Sequence, residues 1–294
     1  MGNGNKRTLL MDFLRLLKEE RERARRLPQE SLAQESAVEA PSPSPSPSPS
    51  PSPNPECEAN VVGSITLRLE HLSELFPNQL YYAEEVIDED SSGCIESALE
   101  CSKSAFTQLS SRRVAVFGQH PAHISPGTAQ PPSTSKELPT WLSCIAQSLV
   151  DAGLFAPEQI PNNVLVNEYE STGGILHHTD GPAYCPGVAV LSLGGPVKLT
   201  FRPRLRPEDI GGPRDVGDVA SVLLRPRSLL VFRNDFYSDH LHGIAEGVEA
   251  EVIDDLVCNA HTTGLAAGAS VARGPRISLT FRRLAASPAS VGRV

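Results

Sequence analysis

Between residues 106 and 282 the hydrophobic positions fall in short runs alternating with polar ones, punctuated by Gly, Pro, Ser and Asn. A period of two over four to eight residues marks β-strands. The pattern predicts strands at 164–169, 175–178, 188–193, 197–201, 220–224, 229–232, 240–244 and 276–282. A hairpin precedes them, pairing 106–109 with 113–117 around Ser110, Ser111 and Arg112. One segment breaks the rhythm: Leu142, Ile145, Leu149 and Val150 recur at helical spacing and predict a helix over 141–153. Many short strands with Gly and Pro turns read as a sandwich or jelly roll, mainly β with flanking helices. The polar stretches 202–219 and 245–274 read as long loops, a length that is usually functional or disordered.

Upstream the periods change. Residues 61–69 read as a strand, and Ile95, Ala98 and Leu99 as the apolar face of a short helix in an acidic segment. This layer is expected to support the sheet from outside. Further back, Leu10, Phe13, Leu14 and Leu17 lie on one face of a helix over 8–26. It reads as a solvated helix, with docking to a protein partner as the functional alternative. The alternating Pro and Ser of 41–53 form no ladder and bury nothing, so they read as an extended, disordered linker. The expected divisions are therefore an N-terminal tail over 1–59, an acidic helical support over 60–105, a core over 106–286 and a short tail over 287–294.

Composition narrows the classes. At 39% hydrophobic residues the chain suits a globular core. No apolar run reaches the roughly 20 residues of a membrane span. Six cysteines stand scattered without a C-x-x-C pair or a secretory signal, so they read as reduced thiols in cytoplasm or nucleus, and a structural zinc site is not expected. The net charge is −9, but residues 61–100 set Arg68 against nine acids, while the region beyond is balanced. Charge alone neither supports nor excludes an anionic polymer as partner.

The candidate chemistry starts at His178 and Asp180. On extended chain the i, i+2 spacing points both side chains the same way. A second imidazole would complete a two-histidine, one-carboxylate set. His240 and His242 both qualify and periodicity does not choose between them; His177 is a rival to His178 but lacks the spacing to Asp180. In the last strand Arg276, Ser278, Thr280 and Arg282 share one face, with Ile277, Leu279 and Phe281 on the other. Two arginines on an inward face are costly unless they meet anions, and guanidinium grips carboxylates bidentately.

Taken in order, Asn167-x-Tyr169, His178-x-Asp180, Ser192-Leu193-Gly194, Leu241-His242-Gly243-Ile244 and Arg276-x-Ser278-x-Thr280-x-Arg282 resemble the motifs of the AlkB family. The stretches at 106–109, 180–182 and 226–231 look most like its AlkB-homologue-six subfamily. The resemblance implies a double-stranded β-helix and an Fe(II)- and 2-oxoglutarate-dependent dioxygenase using O2. It implies His178, Asp180 and His242 as iron ligands, with Asn167, Tyr169, Arg276, Ser278 and Arg282 binding 2-oxoglutarate. Arg276 would meet the distal carboxylate and Arg282 the one next to iron. The implied reaction is oxidative N-demethylation of alkylated bases in single-stranded DNA or RNA, releasing formaldehyde, succinate and CO2. Arg112, Arg113, Phe117 and Tyr184 are candidate substrate contacts, as are Arg202, Arg204 and Arg206. Ser278 stands where the family usually has asparagine, and still offers a hydrogen bond. The same chemistry on a protein or small molecule, and a non-catalytic binding module on this fold, are the alternatives. A monomer is expected.

Overall fold

A computed structural model describes residues 65, 67–121, 137–205 and 217–285; the helix expected over 8–26 and the Pro/Ser repeats lie outside them. The period-two segments do become strands. β1 (Ser73–Phe76), β2 (Leu80–Ala83), β3 (Thr107–Gln108), β4 (Arg113–Gly118), β5 (Asn163–Tyr169) and β6 (Ile175–His178) come first. β7 (Tyr184–Gly194), β8 (Val197–Pro203), β9 (Ala220–Leu224), β10 (Ser228–Arg233), β11 (His240–Ile244), β12 (Ala250–Val252), β13 (Ser270–Ala272) and β14 (Arg276–Leu284) follow. The helices are α1 (Glu89–Cys101), α2 (Thr140–Asp151) and two single turns, α3 (Asp235–Ser238) and α4 (Ala260–Thr263). An eight-stranded antiparallel sheet runs in the order β1-β2-β10-β7-β14-β5-β4-β3, and a four-stranded one in the order β6-β11-β8-β9. This is the jelly-roll core expected of a double-stranded β-helix.

Alternation sorts each central strand of the large sheet between two apolar layers. Val164 and Val166, Leu191 and Leu193, and Leu279 and Phe281 face α1 and α2, where Ile95, Leu99, Leu142, Ile145 and Leu149 cover them. Residues one step along face the small sheet instead: Val188, Val190, Leu230 and Phe232 pack with Leu199, Phe201 and Val222. The side-chain period of two makes this sorting automatic once the register is set. On β14 it sends Arg276, Ser278, Thr280 and Arg282 inward, and all four are buried.

Phe117 belongs to the helix side. Its ring meets Trp141 edge-on at 6.4 Å, and it lies in the core on the face away from the candidate metal and 2-oxoglutarate residues, which removes it from the substrate contacts. Phe117→Ala should therefore cost about 3–5 kcal/mol of stability. Urea unfolding would read this as a lower midpoint at unchanged slope, with 2-oxoglutarate binding intact.

Two expectations over the N-terminal segment change. Leu67–Leu69 is not a strand. A hairpin forms further on, turning where Asn78 adopts a positive φ of 58°. Its β2 then pairs with β10 from Leu80 to Ala83, so half of the supposed outer layer extends the large sheet itself. From outside, α1 packs together with Ile65, Leu67, Val86 and Ile87, and it is capped by Asp88 accepting from the Ser91 N–H at 2.9 Å.

The stretch 245–274 is not a bare loop. It carries β12, β13 and α4 and a small core of Leu223, Ile253 and Val257. Asn259 donates to the Leu223 carbonyl and accepts from its N–H, both at 2.9 Å, so one side-chain amide does for edge strand β9 what a neighbouring strand would do. A buried Arg273–Glu251 pair at 2.6 Å ties the insert down because Glu251 also accepts from the Lys198 N–H at 2.8 Å and Arg273 donates to the Gly173 carbonyl at 3.3 Å. Cys94, Cys144, Cys185 and Cys258 are free thiols as expected, whereas Cys101 is disulfide-bonded. Among the described residues no helix is long and apolar enough to cross a membrane.

Candidate active site

The register of two strands in the small sheet builds the centre. β11 runs antiparallel to β6 with His242 directly opposite His178. Opposed residues share a face, and the two rings lie 4.4 Å apart by centroid. Asp180 follows two residues after His178. Its Oδ2 lies 3.6 Å from His242 Nε2, and its Oδ1 accepts from Arg282 Nη1 at 3.0 Å. Position thus decides between the two late histidines. The His240 ring stacks on Phe236 at 4.8 Å, and its Nδ1 lies 2.9 Å from the Asp235 carbonyl. His177 points to the other face of its sheet, with Nε2 2.9 Å from Thr200 Oγ1 and 3.3 Å from Asp218 Oδ1.

The protonation states suit a metal. His178 Nδ1 lies 2.8 Å from the Leu176 carbonyl, which only accepts, so Nδ1 carries the proton and Nε2 keeps a lone pair. Burial, followed by the neighbouring His242, pushes the His178 pKa down to about 3. Burial also lowers His242. For Asp180 burial pushes upward, but His242, Arg282 and His178 together outweigh it and hold the carboxyl below its usual range. Two neutral imidazoles and one anionic oxygen are therefore present at neutral pH. Asp180 Oδ2 is buried without a hydrogen-bond partner. A divalent cation of the first transition row fits that donor set and would occupy the orphaned oxygen.

About six residues along β14, at the other end of the inner face, lies a cation in the opposite condition. Arg276 is 4% exposed. Its Nη2 donates to Ser192 Oγ at 2.9 Å and its guanidinium lies over the Tyr169 ring at 5.5 Å, while Nε has no hydrogen-bond partner. Burial lowers its pKa to about 10, so it stays charged at neutral pH. No carboxylate among the described residues forms an ion pair with it, and a buried cation left in that state is costly until an anion arrives. A carboxylate fits. Asn167 and Ser278 face each other across β5 and β14 beside it, as do Tyr169 and Arg276.

Arg282 is already engaged. It donates to Asp180 Oδ1 and twice to Asn163 Oδ1, at 3.1 and 2.7 Å, and its guanidinium covers the Tyr184 ring at 4.1 Å. Its charge holds the carboxylate in place. The remaining substrate candidates separate. Arg112 turns inward, buried, and donates to Asn167 Oδ1 at 3.1 Å. Arg113 turns to the helix side and pairs with Glu168 at 2.8 Å. Arg202 pairs with Asp218, and Arg206 lies outside the described residues.

Three contributors had no role assigned from the sequence, although Ser192 stood in one of the motifs. Ser192 interrupts the apolar run of β7 on its inward side, a visible signal. Asn163 heads β5 opposite Arg282, which only the register shows. Tyr237, on α3, donates to the Gly181 carbonyl at 2.9 Å and fixes the chain just after Asp180; nothing in its sequence context marks it.

A family model described as the 2OG-Fe(II) oxygenase superfamily matches residues 102–282. The Probable RNA/DNA demethylase ALKBH6 of Danio rerio is 33% identical over 212 residues, covering 71% of this chain and 86% of that protein. Among solved structures, OsALKBH1 matches with a TM-score of 0.46 and 18% identity, over 71% of this chain and 99% of its own. An oxidoreductase of the 2OG-Fe(II) oxygenase family from Burkholderia pseudomallei matches with a TM-score of 0.41 and 14% identity, over 77% and 89%.

Proposed function

We propose, for a chain that belongs to the AlkB family of 2OG-Fe(II) oxygenases, that its reaction is oxidative removal of N-methyl groups from bases in single-stranded nucleic acid. The observation that carries this is the convergence of His178, Asp180 and His242 on the inner face that also presents the unpaired Arg276. In this reading His178 Nε2, His242 Nε2 and Asp180 hold Fe(II), and Arg276, Tyr169, Asn167 and Ser278 hold 2-oxoglutarate. With O2, the bound pair supplies the oxidising power that converts N–CH3 to N–CH2OH while 2-oxoglutarate becomes succinate and CO2. The hydroxymethyl group then leaves as formaldehyde and the ring nitrogen regains a proton.

The protein's own share is placement and charge. Arg282 keeps Asp180 ionised and oriented through Nη1. Asn163 and the Tyr184 ring fix Arg282 in turn. Phe201 and Phe232 pack beside His242, at 6.3 and 4.9 Å, and keep water from that side of the centre. Arg276 selects a ligand with a second carboxylate, since only an anion relieves its burial.

One observation favours a second reading, the same oxidation on a protein or small molecule. Arg113, Arg202, Arg225 and Arg227 each pair with an acid of this chain. That leaves little free positive charge on the described surface for tracking a phosphate backbone. On nucleic acid, recognition then falls mainly on the modified base itself, presented unpaired. The test is formaldehyde release from N-methylated single-stranded DNA and RNA, the matching duplexes, and N-methylated peptides. Turnover of a single-stranded oligonucleotide with shallow salt dependence, absent in His178→Ala, supports the first reading. Turnover confined to peptides would replace it with the second.

A further inference from the structure

Strands that alternate in direction put their turns at two ends of the barrel. The metal-binding donors sit at one end, near the loop after β6. The other end, its base, is formed by the turns β3–β4, β5–β6, β7–β8 and β11–β12 and by the chain entering β14. A cavity of about 620 Å³ opens there, and its walls include Ser110, Arg112, Thr172, Gly247, Tyr169 and Arg276. The last two also wall a small void of about 10 Å³ beside Val197 and Ile244. Tyr169 and Arg276 thus form the inner wall of the vestibule, and both are buried.

The rim of this vestibule is held by backbone. Ser111 Oγ donates to the Gly174 carbonyl at 3.0 Å, and the Gly247 N–H donates to the Thr172 carbonyl at 2.8 Å. A Cβ at Gly173 would meet the Ser111 carbonyl at 2.7 Å, and one at Gly174 the Ile244 carbonyl at 2.6 Å. These turns pack too closely to slide over one another, so the opening needs no lid. Its inner wall carries two buried guanidinium groups: Arg276, unpaired with any described carboxylate, and Arg112, bonded to Asn167.

We propose that this vestibule is a separate door for the dicarboxylate, through which 2-oxoglutarate loads and succinate leaves by side-chain movement of Tyr169 and Arg276. It rests on the reading of the inner face as a 2-oxoglutarate site. The arrangement lets the cosubstrate exchange at the base while the other end of the barrel stays occupied by substrate. The carboxylate that arrives first meets Arg276, the group with most to gain from it.

The experiment places a plug in the vestibule without touching the site. Ser110→Trp and Thr172→Trp are made separately in the full chain, both being rim positions on turns. Anaerobic stopped-flow mixing of the Fe(II)-loaded protein with 2-oxoglutarate follows the visible absorbance of the chelate, and displacement by excess succinate follows its loss. A door predicts that association and dissociation both slow about tenfold while Kd and Fe(II) affinity stay within about twofold, because a passage changes rates and not end states. Two plugs guard against one of them failing to fold, which far-UV circular dichroism checks. Wild-type rates in a folded variant, or a weakened Kd at unchanged association rate, would overturn the door. A wild-type protein that forms no chelate band would remove the underlying site reading, and the door with it.

Discussion

Arg276→Met should sharply weaken capture of 2-oxoglutarate and at the same time raise the melting temperature of the ligand-free protein. The two effects have one cause. The Arg276 guanidinium is buried, remains charged at neutral pH and among the described residues meets Ser192 and the Tyr169 ring but no carboxylate. Replacing a buried charged group by a well-packed apolar one is often neutral or stabilising, by about 1–4 kcal/mol. Removing one side of a buried charge pair in a complex costs about 2–5 kcal/mol. The expected loss in 2-oxoglutarate affinity is therefore about thirtyfold to a few thousandfold. Thermal unfolding with and without 2-oxoglutarate and Fe(II) under argon checks both halves. A variant that is less stable and still protected by 2-oxoglutarate would show that Arg276 is a structural cation.

His178→Ala and Asp180→Ala should both lose Fe(II), yet differ sharply in stability. The His178 ring is neutral at neutral pH and bonds to the Leu176 carbonyl, so truncation leaves no charge stranded. Asp180 is the counter-charge of buried Arg282. Breaking such a pair from one side costs about 3–5 kcal/mol. Denaturant midpoints measured beside Fe(II) titration separate the two roles. The same pair sets an acid limit. Because the folded carboxyl is held below its ordinary value, its contribution is complete above the unfolded pKa of about 3.9 and is lost as pH falls through the lowered folded value. An Asp180→Ala protein as stable as wild type would mean that Arg282 finds its support in Asn163 and Tyr184 alone.

What could be read from the chain follows the physics of the signals. The inner face of β14 was legible because a buried polar face on a strand alternates in plain view, Arg276, Ser278, Thr280 and Arg282 against Ile277, Leu279 and Phe281. His178 and Asp180 were legible for the same reason. The choice of His242 over His240 was not, since both share a face; cross-strand register decides it, and register is set by pairing partners far along the chain. Phe117 could be named only as a candidate substrate contact because its strand is apolar on both sides, and such a strand carries no alternation to read. The hairpin of β1 and β2 was missed because its stability comes from docking β2 on β10, about 150 residues later. The folded insert at 245–274 was hidden for a similar reason: its strands are three residues long, and it is held by contacts to distant residues such as Lys198, Ser221 and Leu223.

The first measurement is an anaerobic titration of the full chain with Fe(II) and then 2-oxoglutarate, recording the visible charge-transfer band of the chelate. It needs no knowledge of the substrate. The account predicts a band that saturates at one equivalent of each, is absent in His178→Ala and is lost at ordinary 2-oxoglutarate concentrations in Arg276→Met. A folded wild-type protein that binds neither, or a band that survives in both variants, would contradict the assignment of this inner face as the catalytic centre.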